Sequence, residues 1–257
     1  NVIIGTINAG SATGNRQLII AGNDGTTTTT WLTGDSDGKL TMTSGDIISG
    51  KVSGTNFSNS LLIGTTTTGT LNNADNNIGI GYDALRDLTS GDANIALGVN
   101  AGRALTVNSY NTFIGRNSGV NANGNSNVGL GPDSLEGSSF TGAGNMAIGM
   151  GSGANISSGN FNTMIGTDAG DTITSGSGNI MIGNNIQPDS ITGNRQLKIG
   201  GYDGTTTTTW ISGDSSGVVT ATLAANTITS TQLASATTLL ILDSSGSTLK
   251  TIIGAGS

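Results

Sequence analysis

A pentapeptide of the form Asn-x-x-aliphatic-Gly recurs through the middle of the chain, and its spacing limits the possible folds more than any other feature. It is read at Asn77–Gly81, Asn94–Gly98, Asn111–Gly115, Asn127–Gly131, Asn145–Gly149, Asn162–Gly166 and Asn179–Gly183, at spacings of 17, 17, 16, 18, 17 and 17 residues. A rung without the Asn, Ser60–Gly64, sits 17 residues before the first. Three residues past each of the first six Gly comes a small residue, Ala84, Ala101, Ser118, Ser134, Ser152 or Ala169, followed by Gly or Leu. This period is too short for the common helical repeats, and the aliphatic residues alternate as in a strand. The economical solution is an all-β parallel β-solenoid, or β-roll, with one coil per repeat. Each coil is expected to supply two short strands joined by turns of Gly, Asn, Asp and Ser, residues that tolerate left-handed backbone or cap turns locally. Eight coils stacked at strand spacing would span about 40 Å.

Stacking converts equivalent residues into columns. Asn77, Asn94, Asn111, Asn127, Asn145, Asn162 and Asn179 are expected to form an amide ladder along the stack. Gly81, Gly98, Gly115, Gly131, Gly149, Gly166 and Gly183 are expected to open the turn that follows. The richest aliphatic columns, Ile80, Leu97, Ile114, Leu130, Ile148, Ile165 and Ile182 with Ile78, Ile95, Thr112, Val128, Met146, Thr163 and Ile180, are expected to line the interior. Gly79, Ala96, Phe113, Gly129, Ala147, Met164 and Met181 then point outward. Such an uncharged outer column calls for cover by another chain, which gives the expectation of a homotrimer of intertwined solenoids.

A second, longer repeat pairs the start of the chain with its last third. The segment TGNRQLIIAGNDGTTTTTWLTGDSDG ending at Gly38 matches TGNRQLKIGGYDGTTTTTWISGDSSG ending at Gly217. The expected division is therefore residues 1–13 as the last rung of an upstream array, 14–50 as a β connector or knob, 51–192 as the solenoid array, 193–228 as a second connector, and 229–257 as the start of a further solenoid block. These connectors carry strand-like alternation and a run of five Thr before Trp31 or Trp210. The Thr runs occur once per long repeat, too sparsely for an extended flat Thr array.

Composition narrows the chemistry. The chain has 43 Gly, 2 Pro, no Cys and no His, so disulfides, thiolate or imidazole metal ligands, Cys nucleophiles and His bases are unavailable to it. A net charge of −7 with nine scattered basic residues disfavours nucleic acid as a partner. No apolar run has membrane-spanning length, so no membrane insertion is expected of this segment.

The rungs resemble the head repeats of trimeric autotransporter adhesins, which are left-handed parallel β-rolls of three intertwined chains. More closely, GSGNIMIGNN at Gly176–Asn185, TGNRQL at Thr192–Leu197 and WISGDSSG at Trp210–Gly217 resemble the repetitive tail fibre proteins of marine and cyanobacterial bacteriophages. That resemblance implies a non-enzymatic structural shaft in a virion appendage, supporting host attachment and, as partners, other copies of itself and a host-surface glycan or protein receptor. The alternative implied by the first resemblance is a bacterial surface adhesin or extracellular filament subunit.

Few residues are candidates for chemistry. Asp35 and Asp37 in Asp35-Ser36-Asp37-Gly38 resemble the opening of a calcium loop, but no bidentate Glu follows and the copy at Asp214 has lost the second carboxylate. A tight turn is the favoured reading, and no cofactor is expected. A polysaccharide depolymerase would need two carboxyl groups facing one sugar bond. The chain has a single Glu, Glu136, and Asp83, Asp87, Asp92, Asp133, Asp168 and Asp171 all fall in expected turns, so no catalytic residue is assigned. Trp31 and Trp210 offer indole faces suited to sugars, with packing in the connector the favoured reading. Arg16 and Arg195 are expected to pair with Asp24 and Asp203.

Overall fold

A computed structural model describes residues 2–4, 18–23, 28–34, 40–42, 50–54, 56–64, 70–221, 238–242 and 248–253, with side-chain surroundings for 18–21, 56–64 and 70–221. Asp35, Asp37, Arg16 and Asp24 lie outside the described residues, as does the side chain of Trp31.

The described residues form an all-β structure without helix. Strands β1 (Val2–Ile4), β2 (Leu18–Asn23), β3 (Thr28–Gly34) and β4 (Leu40–Met42) make one sheet in chain order. The main sheet contains β5 (Gly50–Gly54), β6 (Phe57–Ile63), β7 (Ile78–Ile80), β8 (Ile95–Leu97), β9 (Thr112–Ile114) and β10 (Val128–Leu130). It continues through β11 (Met146–Ile148), β12 (Thr163–Ile165), β13 (Ile180–Ile182), β14 (Leu197–Tyr202), β15 (Thr207–Gly213) and β16 (Val219–Ala221). A separate hairpin pairs β17 (Thr238–Leu242) with β18 (Thr248–Ile253).

From β6 to β14 every neighbour is parallel and each rung adds one strand, giving a parallel β-solenoid of about eight turns at a spacing of about 17 residues. Each rung between β7 and β13 contributes a single three-residue strand, where two strands per rung were expected. The rest of the coil is turns, held by backbone bonds between rungs such as Gly102 N–H to the Ser118 carbonyl at 2.9 Å and Ala104 N–H to the Val120 carbonyl at 3.1 Å. Antiparallel pairs close both ends: β5 lies against β6, and β14 turns back into β15 and β16. The second connector thus extends the solenoid's own sheet, with its first strand serving as a further parallel rung.

The two faces of the rung strands are the reverse of the expected arrangement. Ala96, Phe113, Ala147, Met164 and Met181 are fully buried and Gly79 and Gly129 lie inside with them, whereas Ile78, Ile80, Ile95, Ile114, Met146 and Ile180 are exposed to about 36–41%. The physical reason lies in the ladder residues. A strand alternates with period 2, so the side chain two residues past each Asn shares the Asn's face. All seven Asn side chains are buried, which puts the middle residue of each strand inside and both aliphatic columns outside.

Inside, volume is balanced between two positions six residues apart. Where the strand residue is Gly79 or Gly129, the turn carries Leu85 or Leu135. Where the strand carries Ala96, Phe113, Ala147 or Met164, the turn has Gly102, Gly119, Gly153 or Gly170. A Cβ added to Gly119 would lie 2.4 Å from the Phe113 ring, and one on Gly170 would lie 2.8 Å from the Met164 side chain. This turn position is left-handed throughout, with φ of 56° to 61° at the four glycines and 53° and 51° at Leu85 and Leu135. The two leucines hold a backbone conformation that disfavours a Cβ, and both are buried: a Cβ on Gly79 would stand 3.3 Å from the Leu85 side chain, and one on Gly153 of the next rung 3.1 Å from that of Leu135.

Candidate functional site

Two elements of the solenoid organise everything else: an internal amide ladder and an external aliphatic strip. The ladder starts at Ser60, whose Oγ accepts the Asn77 N–H at 2.7 Å. Each later Asn places its backbone N–H and its Nδ2 on the Oδ1 of the Asn one rung earlier. Asn94 reaches Asn77 at 2.9 and 3.1 Å, Asn145 reaches Asn127 at 2.9 and 3.2 Å, and Asn179 reaches Asn162 at 2.9 and 2.9 Å. In all but Asn111, Nδ2 also donates to a carbonyl on the turn 14 or 15 residues ahead, such as Gly142 for Asn127 and Gly176 for Asn162. Gln196 ends the row, reaching Asn179 Oδ1 with its N–H at 2.8 Å and with Nε2 at 3.3 Å. No other side chain of this size offers an acceptor and two donors in one rigid plane, so a fully buried position can be satisfied only by this amide.

The glycine column follows for a steric reason. Gly81 to Gly183 have φ between 122° and 136°, and each lies against its counterpart in the next rung. A Cβ on Gly115 would stand 2.5 Å from the backbone of Gly131, a distance that only glycine avoids.

A second polar row escaped the sequence reading. Two residues before most ladder positions, Asp75, Asp92, Ser109, Asn125, Asn160, Ser177 and Asn194 accept a backbone N–H from the preceding rung, for example Asp75 N–H to Asp92 Oδ1 at 2.7 Å and Ser109 N–H to Asn125 Oδ1 at 2.8 Å. The signal was present as an Asp, Asn or Ser at a constant offset, interrupted at Ala143. It was masked by the abundance of those residue types.

Of the carboxylates weighed as acids, Asp83, Asp87, Asp92 and Asp133 are occupied by local work. Asp83 and Asp87 hold Arg86 at 3.2 and 2.8 Å, and Asp133 holds Arg116 at 2.6 Å. These contacts push the Arg86 guanidinium above its ordinary range, the bond to Asp87 contributing most. Asp171 lies near Asp168, and its carboxyl is shifted upward first by burial and then by the Asp168 charge; its Oδ1 is buried without a partner. Among the described residues, no group of three or more His, Cys, Asp or Glu side chains is placed to hold a metal ion.

In the second connector, Asp214 caps its own turn, its Oδ1 accepting the Ser216 N–H at 2.9 Å, the Ser216 hydroxyl at 2.6 Å and the Val218 N–H at 3.1 Å. Those bonds lower its carboxyl below the usual range, the Ser216 hydroxyl first. The expected pair between Arg195 and Asp203 is not formed. Asp203 instead accepts the N–H groups of Thr205 and Thr206 at 2.9 and 2.7 Å, and Arg195 is exposed. Trp210 is 53% exposed and stands beside the backbone of Gly201, where a Cβ would lie 2.7 Å from the indole. It falls at the bulge between β14 and β15, where Ile199 pairs with Ile211 and Gly200 with Thr209.

The external strip is the largest organised feature of the surface. It runs from Leu61 and Ile63 on β6 to Leu197 and Ile199 on β14, two outward side chains per strand, in register and without a charged residue. Tyr82, Val99 and Met150 border it one residue past the glycines, and Tyr110 and Phe161 border it one residue before the ladder Asn. Tyr110 and Phe161 are left-handed, with φ of 64° and 57°, and a Cβ on Gly144 would meet the Phe161 ring at 2.6 Å.

No protein-family model, curated protein or solved structure matches the chain. Among the described residues no helix is long and apolar enough to cross a membrane.

Proposed function

We propose that the chain is a shaft segment of a virion tail fibre, built as a homotrimer, that holds a receptor-binding element away from the particle. The supporting observation is the unbroken axial ladder from Ser60 to Gln196, a fully buried row of bonds parallel to the stack. Such a row resists bending because tilting one rung strains the amide bonds to both of its neighbours, and the rungs contact only their neighbours, so added rungs lengthen the rod without redesign. Asp75, Asp83, Asp87, Asp92 and Asp133 serve inter-rung bonds and ion pairs, which fits a mechanical role better than hydrolysis of a polysaccharide. The test is immunogold labelling of purified phage particles and of intact bacteria with antibody to this chain. Label along tail appendages is expected. Label confined to the bacterial surface transfers the same rod to an adhesin or extracellular filament, and label on neither overturns an extracellular shaft.

A further inference from the structure

We infer that the aliphatic strip is the surface through which copies of this chain associate, parallel and in rung register. The inference rests on the homotrimeric shaft reading and adds the contact surface, its direction and its register. Two outward side chains per strand, at roughly 55 Å² each, sum over β6 to β14 to on the order of 1,000 Å² per copy, above the ~800 Å² per partner of a stable standard interface. A monomer leaving such a continuous uncharged patch in water would be unusual.

The occupant is identified by pitch. Methyl groups along the strip repeat at strand spacing, about 4.8 Å, over about 38 Å. A second copy presents the same repeat, so every rung meets a rung at the same height without accumulating mismatch.

Direction follows from the two polar interruptions. Thr112 on β9 and Thr163 on β12 are the only hydroxyls in the outward columns of β6 to β14. A rotation axis along the stack sets the first outward column of one copy against the second of the other, so parallel copies in register face Thr112 with Ile114 and Thr163 with Ile165 but keep the two Thr112 hydroxyls, and the two Thr163 hydroxyls, diagonal neighbours on one level. Full antiparallel overlap would set Thr112 against Met146 of β11 and Thr163 against Ile95 of β8, burying hydroxyls against apolar groups. The long repeat adds a second reason. Strands β1 to β4 have the same pairing order as β13 to β16, one parallel pair followed by two antiparallel ones. Only parallel copies keep each of these units beside its equivalent.

The absence of cysteine from the natural chain makes the test direct. Single-cysteine variants Ile80→Cys, Ile148→Cys and Ile182→Cys on the full chain, with Val107→Cys on an exposed turn as control, are measured by native mass and then treated with a short bis-maleimide. The expected result is an oligomer in every case, with cross-linking at the three strip positions at least tenfold faster than at Val107. Mixtures of Ile80→Cys and Ile182→Cys chains should cross-link only like with like. A stable monomer of the unsubstituted chain overturns the association, including the case where it binds some other protein. Cross-linking at Val107 but not on the strip overturns the surface, and Ile80-to-Ile182 cross-links overturn the direction. The immunogold result does not depend on these outcomes, so shaft and interface can fail separately.

Discussion

The two faces of one three-residue strand follow different rules. The inward face mixes Gly, Ala, Phe and Met with a polar amide, yet each of its positions is matched, amide by amide along the ladder and volume by volume across six residues. The outward face is uncharged and almost wholly aliphatic, and nothing among the described residues covers it. The difference teaches that interior position here is decided by hydrogen-bond closure and fit, and that hydrophobic richness alone does not mark the interior.

Breaking the inward rules should cost most. Gly115→Ala forces a Cβ to 2.5 Å from the Gly131 backbone at a φ of 135°, and local stability around β9 and β10 should fall by at least about 3 kcal/mol, read by hydrogen exchange of the flanking rungs. Asn127→Ala leaves the N–H and Nδ2 of Asn145 without their acceptor and Asn111 Oδ1 without its donor from the side chain. At about 1–3 kcal/mol for each orphaned group, a loss of roughly 3 kcal/mol is expected in urea unfolding, and Asn127→Asp should not restore it because a carboxylate cannot donate.

The volume rule yields a double-mutant cycle. Gly119→Ala drives a methyl into the Phe113 ring and should cost about 2 kcal/mol, whereas in a Phe113→Ala background the same change should cost under about 1 kcal/mol. Equal costs in both backgrounds would show that the two positions do not share space.

The smallest effect concerns a turn. Burial and the Asp168 charge raise the Asp171 carboxyl in the folded chain, so its protonated form is favoured there. Its stabilising contribution is therefore complete below the ordinary unfolded value near 3.9 and is lost as pH rises through the higher folded value. Asp171→Asn should gain less than about 1 kcal/mol over the parent at pH 7, because the group is half exposed, with the gain vanishing below pH 4. A constant difference across that window would show that the carboxyl is not perturbed.

The period, the parallel stack and the columns of Asn and Gly were legible from spacing alone, because a residue type that returns at each rung must meet itself in a solenoid. The phase of the strands was not. Ranking columns by hydrophobicity chose Ile80 and its equivalents as core, while the information that settles the phase lay in the Asn two residues before Gly79 or Phe113. The alternation of Gly and Leu after the small turn residue was visible too. Its meaning required knowing that position 119 packs against position 113 across the coil, a proximity that only the folded path supplies.

A stacked row of asparagines is also the geometry by which amyloid fibrils recruit further strands. The ends of this row are closed against that. Ser60 spends its hydroxyl proton on the Ser58 carbonyl at 2.9 Å, and Gln196 turns its Oε1 back to the Ser190 N–H at 2.9 Å. Antiparallel β5 then covers β6, which carries Ser60, and β15 covers β14, which follows Gln196 directly. The ladder therefore offers no free amide at either of its ends, so growth by uncontrolled templating along the row is blocked.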